Sequence, residues 1–270
     1  TDNQKKLVDT IFKKYGNLKN KKILDVGCND GTLLNFFRKK GAITYGIDPT
    51  NAIKDANPKH VIINNFFNYK NIKLIKKRFK DIDYITFTNV FAHINNLEDT
   101  LESLKSLTTN KTKIIIENHY LGSIVNKKQI DTFYHEHPRT YSLKSLIIIA
   151  KKINLNIEHI EFPKRYGGNI RVFLGKKNLN HDFKKILKNE KKFYKKLKEI
   201  YNEIKIWKKV KLKQINDLND KFGPLPAKAY PGRAAILIKL LKLTKNHIFS
   251  SYEKPNSKKI GHYIPATNIP

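Results

Sequence analysis

Residues 22–31 read Lys22-Ile23-Leu24-Asp25-Val26-Gly27-Cys28-Asn29-Asp30-Gly31. A short apolar run ends in a glycine turn. Thr32 to Lys40 follows with Leu33, Leu34, Phe36 and Phe37 on one side, which is helical spacing. A strand that passes through glycine into a helix lets backbone approach a ligand closely, and the helix start offers unpaired N–H groups. Alone, the string also fits an ordinary tight turn of an α/β protein. It is neither the dinucleotide pattern G-x-G-x-x-G nor a phosphate loop ending in Gly-Lys-Ser/Thr.

Working outward, residues 5–16 read as an amphipathic helix, 43–48 and 61–63 as strands, 83–88 as a strand, 97–107 as a helix and 112–117 as a strand. Residues 118–141 are polar and irregular. Then come a helix over 142–153 and strands over 157–162 and 169–174. Strands alternating with helices imply an α/β fold with a Rossmann-like, parallel, doubly wound sheet. Residues 181–222 contain no Gly or Pro and carry apolar residues at helical spacing. Unbroken, that helix would be about 60 Å long, so a break is expected. Beyond it, 227–230 and 247–251 read as strands, 233–243 as a helix and 263–270 as an extended tail. The expected organisation is a cofactor-binding domain with a catalytic insert over 1–177. A C-terminal α/β substrate-binding domain over 178–270 follows, including the long helix.

The 270 residues are 40% hydrophobic and 11% aromatic, which argues against global disorder. No apolar stretch reaches the length of a membrane span, and no leader pattern opens the chain. The single cysteine, Cys28, excludes a disulfide framework and a Cys₄ zinc module, and a reducing cytoplasm is the simplest compartment. A net charge of +31 invites a nucleic-acid reading. But the basic residues divide into 48 Lys and 6 Arg, beside 29 Asn, the alphabet of an AT-rich genome. Aromatic and basic residues do not interleave as in a stacking platform. The Lys-rich face of 181–222 reads as a solvated surface or a binding face for acidic partners. The expected partner is a small phosphate-bearing substrate, with no nucleic acid and no membrane.

Two further places carry chemistry. Ile47-Asp48-Pro49 puts an acid 21 residues after Gly27, at the tip of the second strand, where it can accept hydrogen bonds from ribose hydroxyls. Tyr134-His135-Glu136-His137-Pro138-Arg139 is the densest reactive cluster. His-x-His without further clustered ligands is poor zinc spacing, so no metal is expected. A general base with positioning partners fits better, because His titrates near neutral pH. A polar surface turn is the alternative.

The pair Asp25-x-Gly27-x-x-x-Gly31 with Asp48 resembles the S-adenosylmethionine-binding half of class I methyltransferases. The resemblance implies that Asp25, Gly27, Asn29 and Gly31 face the methionine end and that Asp48 holds the ribose. It places Asn65 and Phe66 at the adenine and Asn89 near the methionine part. Further segments resemble the deoxysugar C-methyltransferases. They are Asn89-Val-Phe-Ala-His93, Ile116-Glu117-Asn-His-Tyr120, Asp131-Thr-Phe-Tyr134-His-Glu-His137, Tyr166-Gly-Gly-Asn-Ile-Arg171 and Lys259-Ile-Gly261 onward, in the family's order. That family acts on nucleotide-linked keto-sugars. The resemblance implies that His137 is the base, assisted by Tyr134 and Glu136, and that S-adenosylmethionine leaves as S-adenosylhomocysteine. It also implies substrate contacts at Glu117 and Tyr120.

In a chain this rich in Lys, each Arg marks a place where the planar fork matters. Arg171, with Arg139 or Arg233, is expected to hold a phosphate or diphosphate, buried ion pairs being the alternative reading. Two departures bear on the acceptor: the family's N-terminal Cys₄ zinc domain has no counterpart here, and residues 229–234 are shorter than the family's stretch. An O-methyltransferase acting on another phosphate-bearing precursor of a surface or capsular polysaccharide is therefore the second expectation, and an RNA-binding methyltransferase the third.

Overall fold

The computed structural model describes residues 2–133, 137–179, 182–228, 234–253, 255–256, 260–261 and 269. Tyr134, Glu136, Arg233 and most of the 263–270 segment lie outside the described residues. The chain forms two compact units, one within residues 1–124 and 136–191, the other within 125–135 and 192–270.

The first unit holds the sheet. Its strands are β1 (Lys22–Val26), β2 (Ile43–Ile47), β3 (Val61–Ile63), β4 (Tyr84–Thr88), β5 (Lys113–His119), β6 (Asn156–Glu161) and β7 (Asn169–Gly175). They lie in the order β3-β2-β1-β4-β5-β7-β6. β1 to β5 are mutually parallel, whereas β7 runs antiparallel to both β5 and β6. The expected wholly parallel sheet is thus corrected at one edge. Strand periodicity is the same in both directions, so it cannot reveal a reversal.

Side chains alternate across the sheet and build two cores. Leu24, Ile85, Phe87, Ile114, Ile116 and Val172 face α3 (Ile72–Arg78), α4 (Leu97–Leu107) and α6 (Leu143–Lys152). Ile23, Ile115 and Phe173 face α1 (Asp2–Tyr15) and α2 (Thr32–Lys39), where Leu7, Ile11, Leu33 and Phe37 meet them. Because both faces are covered, the strands read as nearly continuous apolar runs. α3 and α5 (Leu121–Lys127) were not expected, and α5 lies inside the stretch read as irregular.

The expected long helix breaks at residues 191–192 into α7 (Lys184–Glu190) and α8 (Phe193–Phe222). α7 belongs to the first unit, which therefore runs past residue 177. What ties it there is Glu190, only 9% exposed. Its carboxylate accepts the backbone N–H groups of Leu143 at 2.7 Å and Lys144 at 2.9 Å, and the Tyr120 hydroxyl at 3.0 Å. An acid on the first N–H groups of α6 satisfies donors that have no partner within the helix and meets the positive end of its dipole.

In the second unit, α8 ends at Gly223 (φ 74). Lys128 pairs with Glu203 at 2.6 Å and Asn126 with Lys196 at 2.9 Å, so residues 126–128 lie against α8. β8 (Leu225–Lys228) and β9 (Ile248–Tyr252) form a parallel pair, and α9 (Ala234–Leu241) supplies Ile238 to a small core with Ile269. Along α8, Lys198 and Lys205 sit over the exposed rings of Tyr194 and Tyr201.

Glu190→Ala removes the acceptor of the Leu143 and Lys144 N–H groups at the start of α6 and one hydrogen bond of the Tyr120 hydroxyl. The expected loss of unfolding free energy is about 2–3 kcal/mol, read from urea unfolding of the full chain; a loss below about 0.5 kcal/mol would remove Glu190 from this role.

Candidate active site

The strand order reverses between β1 and β4, so the connections leaving their carboxyl ends part and open a crevice. At the end of β1, Gly27, Asn29 and Gly31 all take left-handed conformations, with φ of 71, 50 and 73°. Gly27 is required twice over, because a side chain there would also collide with Val90, beyond β4. Asp30 opens α2 by accepting from both the amide and the hydroxyl of Thr32, at 3.0 and 2.7 Å.

Two buried acids meet at this turn. Asp48 Oδ2 accepts the Asn29 amide at 3.0 Å, and Oδ1 accepts the amide and hydroxyl of Thr50 at 2.8 and 2.6 Å. Three of about four acceptor positions on this carboxylate are therefore filled. The open position on Oδ2 suits one hydroxyl, where the sequence reading expected a pair. Asp25 accepts the Thr86 hydroxyl at 2.6 Å. Burial pushes its carboxyl up to about 7, the Thr86 bond opposes this, and the charge of Asp48 adds to it. Neither acid is ion-paired with any described residue. The methyl donor implied by the resemblance carries an ammonium, a sulfonium and ribose hydroxyls. A turn with buried, unneutralised carboxylates fits such a cation. Cys28 is buried against Gly46, and desolvation with the nearby acids pushes its thiol up, so it is a packing residue.

Asn65 folds its side chain onto the Phe66 amide at 2.8 Å, and the Phe66 ring is 63% exposed beyond β3. Asn89, left-handed at φ 59°, follows β4. Its amide donates to the Glu117 carbonyl at 2.8 Å, and its side-chain oxygen accepts Asn169 Nδ2 at 3.1 Å. Beside it, Thr88 Oγ1 is buried with no hydrogen-bond partner among the described residues.

Two expected substrate ligands are corrected. Arg171 is 2% exposed and Glu117 fully buried. Arg171 Nε and Nη2 both reach Glu117 Oε2 at 2.7 Å, Nη1 donates to Glu161 at 2.6 Å, and Nη2 reaches Asn3. Glu117 Oε1 accepts from Asn3 and Asn169, at 2.9 and 2.8 Å. The fork is matched to carboxylates inside the protein, which leaves a phosphate neither the charge nor the access. The Tyr120 hydroxyl is likewise committed to Glu190.

What the fold does bring together is His137 and His93, a residue that the sequence reading quoted in a motif without assigning it a role. Their rings lie edge to face, with centroids 4.6 Å apart. His93 ends the short turn Phe91–His93 after β4, and His137 precedes α6. Two hydrogen bonds staple the segments: Arg139 donates to the Ile94 carbonyl, and the Tyr141 hydroxyl donates to the Phe91 carbonyl at 3.1 Å. The two rings therefore meet at the end of β4, held by hydrogen bonds on either side of the contact. The expected helpers Tyr134 and Glu136, and Arg233, lie outside the described residues.

Arg171→Met leaves Glu117 buried without its counter-charge, and the expected loss of unfolding free energy is about 3–5 kcal/mol, by urea unfolding; a stable variant with only a raised KM would restore Arg171 as a substrate ligand. For Asp25 the folded value lies above the ordinary one. Its contribution to stability is full below the unfolded value of about 4 and is lost as pH rises toward about 7. Asp25→Asn, which keeps an acceptor for Thr86, should raise the thermal midpoint of the ligand-free chain at pH 8 and do so much less at pH 5. Equal shifts at both pH values would rule out titration of Asp25 as the cause.

Residues 3–160 match the model of a family described as a methyltransferase domain. The chain is 27% identical over 180 residues to the C-methyltransferase NovU of Streptomyces niveus, covering 66% of this chain and 43% of that protein. It is 28% identical over 93 residues to the ubiquinone biosynthesis O-methyltransferase of Coxiella burnetii, covering 33% of this chain and 40% of that protein. The chain thus spans about two fifths of the length of these curated relatives. Among solved structures, the magnesium protoporphyrin IX methyltransferase ChlM of Synechocystis, with bound S-adenosylhomocysteine, superposes with a TM-score of 0.50 at 18% identity. That match covers 63% of this chain and 82% of that one. The family match takes in the glycine turn, both buried acids, His93 and the first five strands of the sheet, and on it the chain belongs to the methyltransferase-domain family.

Proposed function

We propose that the chain uses S-adenosylmethionine to methylate a carbon of a nucleotide-linked keto-sugar. The observation that carries this reading is the stapled His93–His137 pair at the same edge of the sheet as the acid-lined glycine turn. The 27% identity to a C-methyltransferase supports it. When bound, S-adenosylmethionine supplies an electrophilic methyl group on a sulfonium. Asp25, Gly27, Asn29 and Gly31 hold its methionine end, Asp48 a ribose hydroxyl, Asn65 and Phe66 the adenine, with Asn89 near the methionine part. His137 takes the proton beside the ketone, and the resulting enolate is the nucleophile. His93 packs edge to face against the His137 ring and orients it toward the acceptor. Tyr134 and Glu136 orient the base, and Arg139 holds its segment on the His93 turn.

Methylation of oxygen on another phosphate-bearing precursor is the second reading, favoured by the match to an O-methyltransferase. His137 then deprotonates a hydroxyl. Methyl-labelled S-adenosylmethionine with a nucleotide-linked keto-sugar separates the two: label on carbon supports the first, label on oxygen replaces it. His137→Gln is expected to lower kcat by at least about a hundredfold while leaving S-adenosylmethionine affinity unchanged by calorimetry, and loss of cofactor binding would overturn its assignment as base. Asp48→Ala should instead weaken cofactor binding by about tenfold.

A further inference from the structure

We propose that Arg165 and Tyr166 form the platform that receives the nucleoside diphosphate part of the acceptor, an assignment that rests on the acceptor reading above. With Arg171 buried against Glu117 and Glu161, and Arg139 spent on a carbonyl, Arg165 is the half-buried described arginine at this edge with no ion pair to a described residue. No carboxylate of the described residues pairs with it. Its guanidinium lies over the Tyr166 ring, 4.6 Å from the centroid, and Nη2 donates to the Tyr166 hydroxyl at 2.9 Å. The other N–H groups of the fork make no hydrogen bond to a described residue.

Tyr166 is 55% exposed and sits at φ 51°, ψ 29°, a left-handed conformation that is unfavourable for a bulky aromatic residue. Gly167 and Gly168 follow at φ 88 and 137°. Glycine would take the Tyr166 position without strain, yet this chain spends its glycines on the next two residues and sets a ring on the strained one. The turn is held by its backbone: Gly168 N–H donates to the Arg165 carbonyl at 2.9 Å, Asn169 N–H to Pro163 at 2.7 Å, and the Gly168 carbonyl accepts from Tyr120 at 3.1 Å. Asn169, the next residue, contacts Asn89. The platform therefore stands at the carboxyl edge of the sheet, beside the crevice. A fixed phenol face and a guanidinium fork suit a ligand that is planar at one end and a dianion next to it: the ring stacks on the base and the fork pairs the diphosphate.

The test is calorimetric titration of the full chain, saturated with S-adenosylhomocysteine, with uridine diphosphate, thymidine diphosphate and inorganic diphosphate. Wild type is expected to bind a nucleoside diphosphate more tightly than inorganic diphosphate. Arg165→Gln is expected to weaken nucleotide binding by at least about tenfold and to flatten its salt dependence. Tyr166→Gly is expected to weaken it several-fold while leaving the thermal midpoint equal or higher, because strain is released. Affinity for S-adenosylhomocysteine should be unchanged in both. If wild type binds a nucleotide and neither variant loses affinity, the platform is wrong and the acceptor reading stands. If wild type binds no nucleoside diphosphate, the acceptor reading fails and takes the platform with it. Equal affinity for inorganic diphosphate would overturn the role of the ring. Joint loss of cofactor affinity and thermal midpoint would make the pair structural and overturn the proposal.

Discussion

A buried guanidinium governs the edge of the sheet. Taking Arg171 out of water costs several kcal/mol, and only near-complete pairing offsets it. Here the partners come from four places in the chain: Glu117 on β5, Glu161 on β6, Asn3 on α1, and Asn169 through the shared Glu117 carboxylate. Both carboxylates are direct cross-strand neighbours of Arg171. A slip of one residue in either antiparallel pairing would turn a charge toward the apolar face and break the bridge across that pairing, so each bridge fixes register as well as adding stability. Two residues from Arg171 and on the same face, Asn169 carries that order to Asn89 and so to the end of β4. The cofactor edge inherits its precision from an interaction that touches no ligand.

The glycine turn has the opposite character. Asp25 and Asp48 are buried close together with hydrogen bonds but no base among the described residues. A stability-driven interior would neutralise them. Functional sites are where such local rules are broken, and the cost is carried by the cores around them. In this chain the cores lie on both faces of the same strands, with Phe87 and Phe91 stacked edge-on behind the β4 turn. The acids thus sit at the ends of strands covered on both faces.

Much of this was legible in the sequence because the physics is local. β1, β2, β4 and β5 are buried on both sides and announce themselves as apolar runs, and the left-handed turn after β1 needs its glycines. What failed needed tertiary knowledge. α5 has only Ile124 and Val125 as fully buried apolar residues, too few for a visible period. The scarcity of arginine did mark Arg171 as a place where a fork matters, but a carboxylate pair and a phosphate ask for the same fork. Only the register, which sets Glu117 and Glu161 beside it, decides between them. His93 stood in plain view four residues after Asn89. Its meaning depends on residues 137–141 returning to the β4 turn, which no spacing along the chain encodes.

The net charge of +31 gains a different meaning from these placements. Lysine spread over a surface raises the potential everywhere and discriminates little, whereas the charges at the crevice are sorted. The acids lie at the end of β1 and β2, and Arg165 lies across the sheet, before β7. On the proposed reading the donor is a cation and the acceptor a diphosphate anion. Each is attracted by its own half of the edge and repelled by the other, so either ligand entering the wrong half meets like charge. Specificity of this kind comes from repulsion as much as from attraction. On that reading it orients two small molecules across one crevice before any base acts, and it needs only a few of the chain's many charges, provided that the sheet holds them in place.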